Sequence, residues 1–185
     1  MIDTTTARIV NGVNVDDLVA TVEAVTATPT IADFRFRADN RWLGGGLNRT
    51  TISGFYGAGD EHQHATSFVL DNDEPPVLLS GDKAPNPVEY VLHALAGCLM
   101  TSLVYHAAAR GITVNGVDVH LEGDLDLHGF LGMDDTVRNG FQGIRVSFDV
   151  QGDLTDEQKA ELVTLAQQRS PVYDIITNRV PVKVR

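Results

Sequence analysis

Residues 85–111, PNPVEYVLHALAGCLMTSLVYHAAARG, constrain the fold more than any other stretch of the chain. Asn86 is a good N-cap and Pro87 fits the first helical position. Glu89 stands where a capping-box carboxylate reaches back to the cap N–H. Val88, Val91, Leu92, Leu95, Leu99 and Leu103 recur at spacings of three and four, and alanines and Gly97 fill much of the remainder. This pattern predicts a helix over 87–110 that stops at Gly111. A helix this apolar and this rich in small residues is buried, with another backbone close to it. A chain of 185 residues offers little to surround it on all sides. Pairing with its copy in a homodimer is therefore expected.

The flanking segments predict a mixed architecture. Residues 14–28 read as a short helix capped by Asn14 and ended by Pro29. Residues 31–42 alternate Phe34 and Phe36 with Arg35 and Arg37, a strand pattern, and Gly44-Gly45-Gly46 makes a turn into a partner strand at 49–56. Residues 57–65 read as loop, 66–71 as a short strand, and the proline-rich stretch 71–87 as an extended connection. Strands are expected at 112–126 and 142–151 around a glycine-rich loop at 128–143. An amphipathic helix follows at 155–169, with Thr155 and Gln158 as a capping box. Ser170-Pro171 restarts a short helix at 171–177, and VPVKV ends as a strand. The order β-β-β-α-β-β-α-α-β does not alternate strictly, so the fold class is α+β.

Charge narrows the partners. Lys and Arg number 14 against 25 Asp and Glu, a formal net charge of -11. That balance disfavours nucleic acid and anionic membranes. No stretch approaches the ~20 consecutive apolar residues that span a bilayer, and no basic region followed by an apolar core marks a signal peptide. The single cysteine excludes an intramolecular disulfide and fits a reducing, cytoplasmic setting.

That cysteine, Cys98, lies in the middle of the central helix. Free cysteine packs as a small hydrophobe, and on this segment alone inert filler is favoured over nucleophile. A mid-helix thiol gains nothing from the helix dipole, so activation requires a cation from elsewhere, an arginine above all. Among the six histidines, His62 and His64 form an H-x-H pair, read as solvated loop without a third ligand. His93 and His106 lie on the helix but are poorly placed as general bases for the thiol. No nucleophile-elbow, Walker or dinucleotide motif is present, and no cofactor or metal is expected.

The stretch GDKAPNPVEYVLHALAGC followed by AAARGI, together with AQQRSPVYDIITNRVPV, resembles the OsmC/Ohr family. The resemblance runs from about Phe34 to the C-terminus, which leaves residues 1–30 as an N-terminal extension with a short helix and 31–185 as the OsmC-like domain. It implies curved antiparallel sheets around a long central helix in an intertwined homodimer. It also implies a first cysteine that attacks an organic hydroperoxide, a second that resolves the sulfenic acid, and an arginine–glutamate pair that keeps the first thiol ionised.

Carried over by position, Cys98 matches the peroxide-reacting cysteine, and Ser170 stands where the resolving cysteine belongs. Val88 holds the usual glutamate position, with Glu89 one residue later. Nine residues separate Glu89 from Cys98, so one straight helix puts them roughly 180° apart and ~13 Å apart along the axis. Glu89 is thus either a cap or a contact to the other subunit's site. Arg49 is the first choice for the guanidinium that meets Cys98, and Arg41 the second. The resemblance implies reduction of organic hydroperoxides in oxidative-stress defence through Cys98 and an external thiol. The alternative is a non-peroxidatic protein that binds a small apolar ligand at the dimer groove.

Overall fold

The computed structural model describes residues 7–185. The elements in chain order are β1 (Ile9–Val10), β2 (Val13–Asn14), α1 (Val15–Ala27), β3 (Arg35–Phe36), β4 (Asp39–Gly44), β5 (Leu47–Gly57), β6 (Asp60–Asn72), α2 (Pro87–Ala109), β7 (Gly116–Asp124), α3 (Leu127–Phe130), β8 (Gly143–Gln151), α4 (Asp156–Arg169) and α5 (Pro171–Thr177). All strand pairs among them are antiparallel, and the class is α+β as expected. The described residues form two compact units, one of 7–15 with 92–185 and one of 16–91.

In the first unit the core is a stripe of α2. Leu95, Leu99, Leu103 and Ala107 are buried with Val150 of β8 and Leu162 and Ala166 of α4. Partly buried Val117 and Leu121 of β7, and Val146 and Phe148 of β8, pack against them. Along β8 and β7 these residues alternate with exposed ones, the pattern of a hairpin with one face on the core. The N-terminal hairpin belongs to this unit. Asn11 and Gly12 both take positive φ at its tip, as a two-residue turn of the mirror-image type requires. The Asn11 side chain donates to the Ile112 carbonyl at 2.9 Å and accepts from the Val114 amide at 3.0 Å.

In the second unit β3 and β4 lie along one edge of β5, and β6 lies along the other. Four expectations change here and downstream. The single strand expected over 31–42 is a 3-10 turn at Pro29–Ala32 and two short strands. The break has a cause in the partner: three residues of β5, Ile52 to Gly54, lie between the pairs that face Phe36 and Asp39, against two on the opposite side.

The loop expected over 57–65 is instead a tight hairpin. Ala58 and Gly59 take positive φ, Gly57 pairs with Asp60, and β6 runs from there to Asn72. The glycine-rich loop 128–143 contains α3. The C-terminal VPVKV forms no strand, since no other described strand hydrogen-bonds to it, and Val182 and Val184 are 83% and 94% exposed.

The N-caps of α2 and α4 are those written in the sequence. Asn86 Oδ1 accepts from the Val88 amide and Glu89 Oε2 from the Asn86 amide, both at 2.8 Å. Thr155 and Gln158 form a reciprocal capping box. α2 spans 23 residues and is apolar and long enough to cross a bilayer. The sequence argument from the lack of such a stretch therefore does not stand alone. What distinguishes this helix is that one of its stripes is the core of the first unit.

Candidate functional site

Cys98 is partly buried on α2, beside fully buried Leu99. The face of α2 away from the core is open. Ala94, Gly97 and Thr101 are exposed, as are Val91 and Tyr105, at 39% and 50%. A Cβ added at Gly97 would meet no atom within 4 Å. The thiol thus sits at the border between a packed stripe and an open one.

His106, two turns further on, is held below the ordinary imidazole pKa, first by burial and then by the charges of Arg169 and Arg110. It is therefore poised neutral near pH 7. Ser170 is buried at 2% exposure between α4 and α5, and its hydroxyl accepts from the Tyr173 amide at 3.1 Å. The serine that stands at the expected resolving-cysteine position caps α5.

The second unit holds the other two predicted site residues. Arg49 grips Asp71 through two bonds, Nε to Oδ1 at 2.7 Å and Nη2 to Oδ2 at 2.9 Å. The two residues face one another across the β5–β6 ladder, and Arg41 faces Arg49 from β4. The hydrogen bond from Arg49 is the main cause that holds the Asp71 carboxyl below its ordinary value. Tyr90, in the first turns of α2, donates its hydroxyl to the Asp71 backbone carbonyl at 2.7 Å.

Just past the end of β6, Asp73 is buried at 1% exposure. Its carboxylate accepts from Ser80 Oγ at 2.5 Å, the Glu74 amide at 2.9 Å and the Lys83 amide at 3.0 Å. Those donors, Ser80 foremost, lower its pKa. Ser80 Oγ also accepts from the Gly46 amide, and Glu74 accepts from the Asn86 side chain. The loop between β6 and α2 is thus latched at both ends, and it fixes where α2 begins. Glu89, the third predicted site residue, is engaged with that N-cap.

His62 and His64 lie on β6, on one face of the sheet. Phe55 stacks on His62 with ring centroids 5.0 Å apart and meets His64 at 5.5 Å, while His64 meets Phe68 edge-on at 4.9 Å. Phe34 and Phe36 extend the same strip. These histidines therefore lie on a strand within an aromatic face rather than in a loop, and His62 Nε2 also donates to the Gly57 carbonyl at 2.9 Å. Among the described residues no group of three or more His, Cys, Asp or Glu side chains is placed to hold a metal ion.

Asp71, Asp73, Ser80 and Tyr90 were not singled out by the sequence. The two-residue turn at 58–59 starts the β5–β6 ladder, but an irregularity between Ile52 and Gly54 shifts the register before Arg49 meets Asp71, so the turn alone does not disclose that pair.

The model of the OsmC-like protein family matches residues 80–185. The chain belongs to the OsmC-like family. No curated protein matches it in sequence. An OsmC-like protein from Mycoplasma pneumoniae is similar in structure, with a TM-score of 0.59 at 14% identity over 78% of this chain and 89% of that one. The organic hydroperoxide resistance protein OsmC from Legionella pneumophila gives a TM-score of 0.52 at 19% identity, over 80% and 94% of the two chains. An OsmC-like protein of unknown function from Vibrio cholerae gives 0.56 at 13% identity, over 76% and 92%. At these identities the likeness is one of fold. The family match supports the resemblance carried by the α2 segment.

Proposed function

We propose that this OsmC-like protein reduces organic hydroperoxides through Cys98 with the help of an external thiol. The observation that carries the reading is the placement of Cys98. It is a partly exposed thiol at the edge of an open helix face, on the segment that matches the family. The Cys98 thiolate attacks the outer oxygen of the hydroperoxide, the O–O bond breaks, and the alkoxide leaves and takes a proton as the alcohol. The sulfenic acid then condenses with an external thiol, releasing water, and a second thiol reduces the mixed disulfide and returns Cys98. With Ser170 as a buried cap and a single cysteine in the chain, both reducing sulfurs come from outside.

In this reading Arg49 supplies the cation that favours the thiolate. Glu89 acts through the helix cap. The working form is a homodimer in the cytoplasm, and a second copy covers the open face of α2 and the aromatic face of the β3–β6 sheet. Faces this apolar are what an obligate interface buries.

One observation favours the second reading, in which the protein binds a small apolar ligand. The two side chains at or next to the positions of the family's resolving cysteine and glutamate, Ser170 and Glu89, are both occupied in capping helices. Consumption of cumene hydroperoxide in the presence of dithiothreitol separates the two. Turnover by the wild type that is lost in Cys98→Ser supports the peroxidase. Equal and background-level consumption by both supports the binding protein.

A further inference from the structure

We propose that residues 179–185 of one copy add as a strand to the open edge of β8 in a second copy. The proposal deepens the homodimer of the reading above and does not depend on the chemistry of Cys98. Donor and acceptor both belong to the first unit.

The acceptor is a strand edge with a groove beside it. β8 pairs with β7 on one side, and among the described residues no strand joins its other side. The unpaired N–H and C=O groups along such an edge are a template for another chain. A groove of about 580 Å³ lies between β8 and α4. Val146 and Phe148 line it from β8, and Ala160 and Val163 from α4. Asp149 lines it too, although it alternates with Phe148 and Val150 along the strand. The groove therefore reaches round to the edge of β8.

The donor is patterned as a strand but has no ladder in its own chain. Val180, Val182 and Val184 alternate with Pro181, Lys183 and Arg185. The three valines are 49%, 83% and 94% exposed, so the groove of the same chain does not hold them. In a strand, the face of the side chain and the side of the backbone polar groups both alternate. When Val180, Val182 and Val184 face the groove and bond to β8, Pro181 turns its missing N–H away from the ladder. An outer edge is where a strand tolerates proline.

Charge supports the same register, which puts Lys183 and Arg185 on the outer face of the β7–β8 hairpin. There Asp118 and Asp149 stand directly opposite one another, a like-charge pair that costs stability. The Gln151 side chain reaches Asp118 at 3.4 Å, but among the described residues no cation pairs with either carboxylate. The added strand brings two cations beside them. Two-fold symmetry makes the exchange reciprocal.

The test is cross-linking in a Cys98→Ser background, where the introduced cysteines are the only thiols. Chains carrying Val182→Cys are co-expressed with chains carrying Thr164→Cys, on the α4 wall of the groove, and treated with a short bismaleimide. His120→Cys, exposed on β7 away from the groove, replaces Thr164→Cys as the control. The expected result is a covalent dimer whose linked peptides join 182 to 164, and no such dimer with the control. A chain carrying both Val182→Cys and Thr164→Cys that links within itself, with no link between chains, overturns the exchange. A link in neither arrangement overturns the seat itself. Sedimentation of the same samples separates this outcome from a failure of the dimer. A stable dimer without the link leaves the homodimer standing, and a folded monomer overturns both.

Discussion

The Ser170 hydroxyl accepts a hydrogen bond from the Tyr173 amide at 3.1 Å, closing the first turn of α5. The side chain is buried, and Pro171 follows it at the first helical position. This is helix-cap geometry, and it accounts for a serine at this place without any chemistry. Ser170→Ala should cost about 1 kcal/mol, seen as a fall of about 2–4 °C in melting temperature for a chain of this size. Peroxide turnover per folded molecule should be unchanged. A large loss of turnover at unchanged melting temperature would give the hydroxyl a chemical role.

Glu89 is open to a parallel test. A capping box accepts glutamine as well as glutamate, so Glu89→Gln should preserve both the melting temperature and peroxide turnover, within about twofold. Glu89→Ala should lower the melting temperature by removing the acceptor for the Asn86 amide. Turnover abolished by the glutamine variant in a protein of normal stability would restore Glu89 to the reacting site.

What the sequence discloses, and what it hides, follows from the range of the interactions involved. Asn86, Pro87 and Glu89, Thr155 and Gln158, and Ser170 with Pro171 are local signals within four residues of one another, and the structure realises each of them. The buried stripe Leu95, Leu99, Leu103 follows from helical period alone. The start of β6 was hidden because D-E-H-Q-H lacks the apolar alternation of a strand. Its strand conformation comes from the turn at Ala58–Gly59 and the ladder to β5. The VPVKV segment shows the converse, a strand pattern with no ladder to join. The carboxylate partner of Arg49 lies 22 residues away, and only the β5–β6 register identifies it.

Asp73 gives the fold a defined response to acid. Its folded-state pKa is lowered by Ser80 and by the amides of Lys83, Glu74 and Gly81. The ionised form therefore stabilises the fold at every pH above the ordinary aspartate value of about 3.9. That contribution is lost as pH falls from there through the lower folded value. Denaturant unfolding measured between pH 5 and pH 2.5 should show stability dropping in the wild type. Asp73→Asn should start lower at pH 5 and fall less steeply. Parallel slopes for the two proteins would mean that the latch does not depend on the charge of Asp73.

The fate of the Cys98 sulfur bears most directly on the proposed activity. The protein is treated with one equivalent of cumene hydroperoxide in the absence of added thiol, and its intact mass is recorded with and without dimedone. Oxidation should stop at the sulfenic acid, because the chain holds no second cysteine to condense with it. The expected result is a gain of about one oxygen that dimedone converts to an adduct, or a covalent dimer where two Cys98 sulfurs approach one another. Cys98→Ser should give neither. A wild-type Cys98 that remains a free thiol while a small-molecule thiol control is oxidised would contradict the peroxidase reading and leave the apolar-ligand protein in its place.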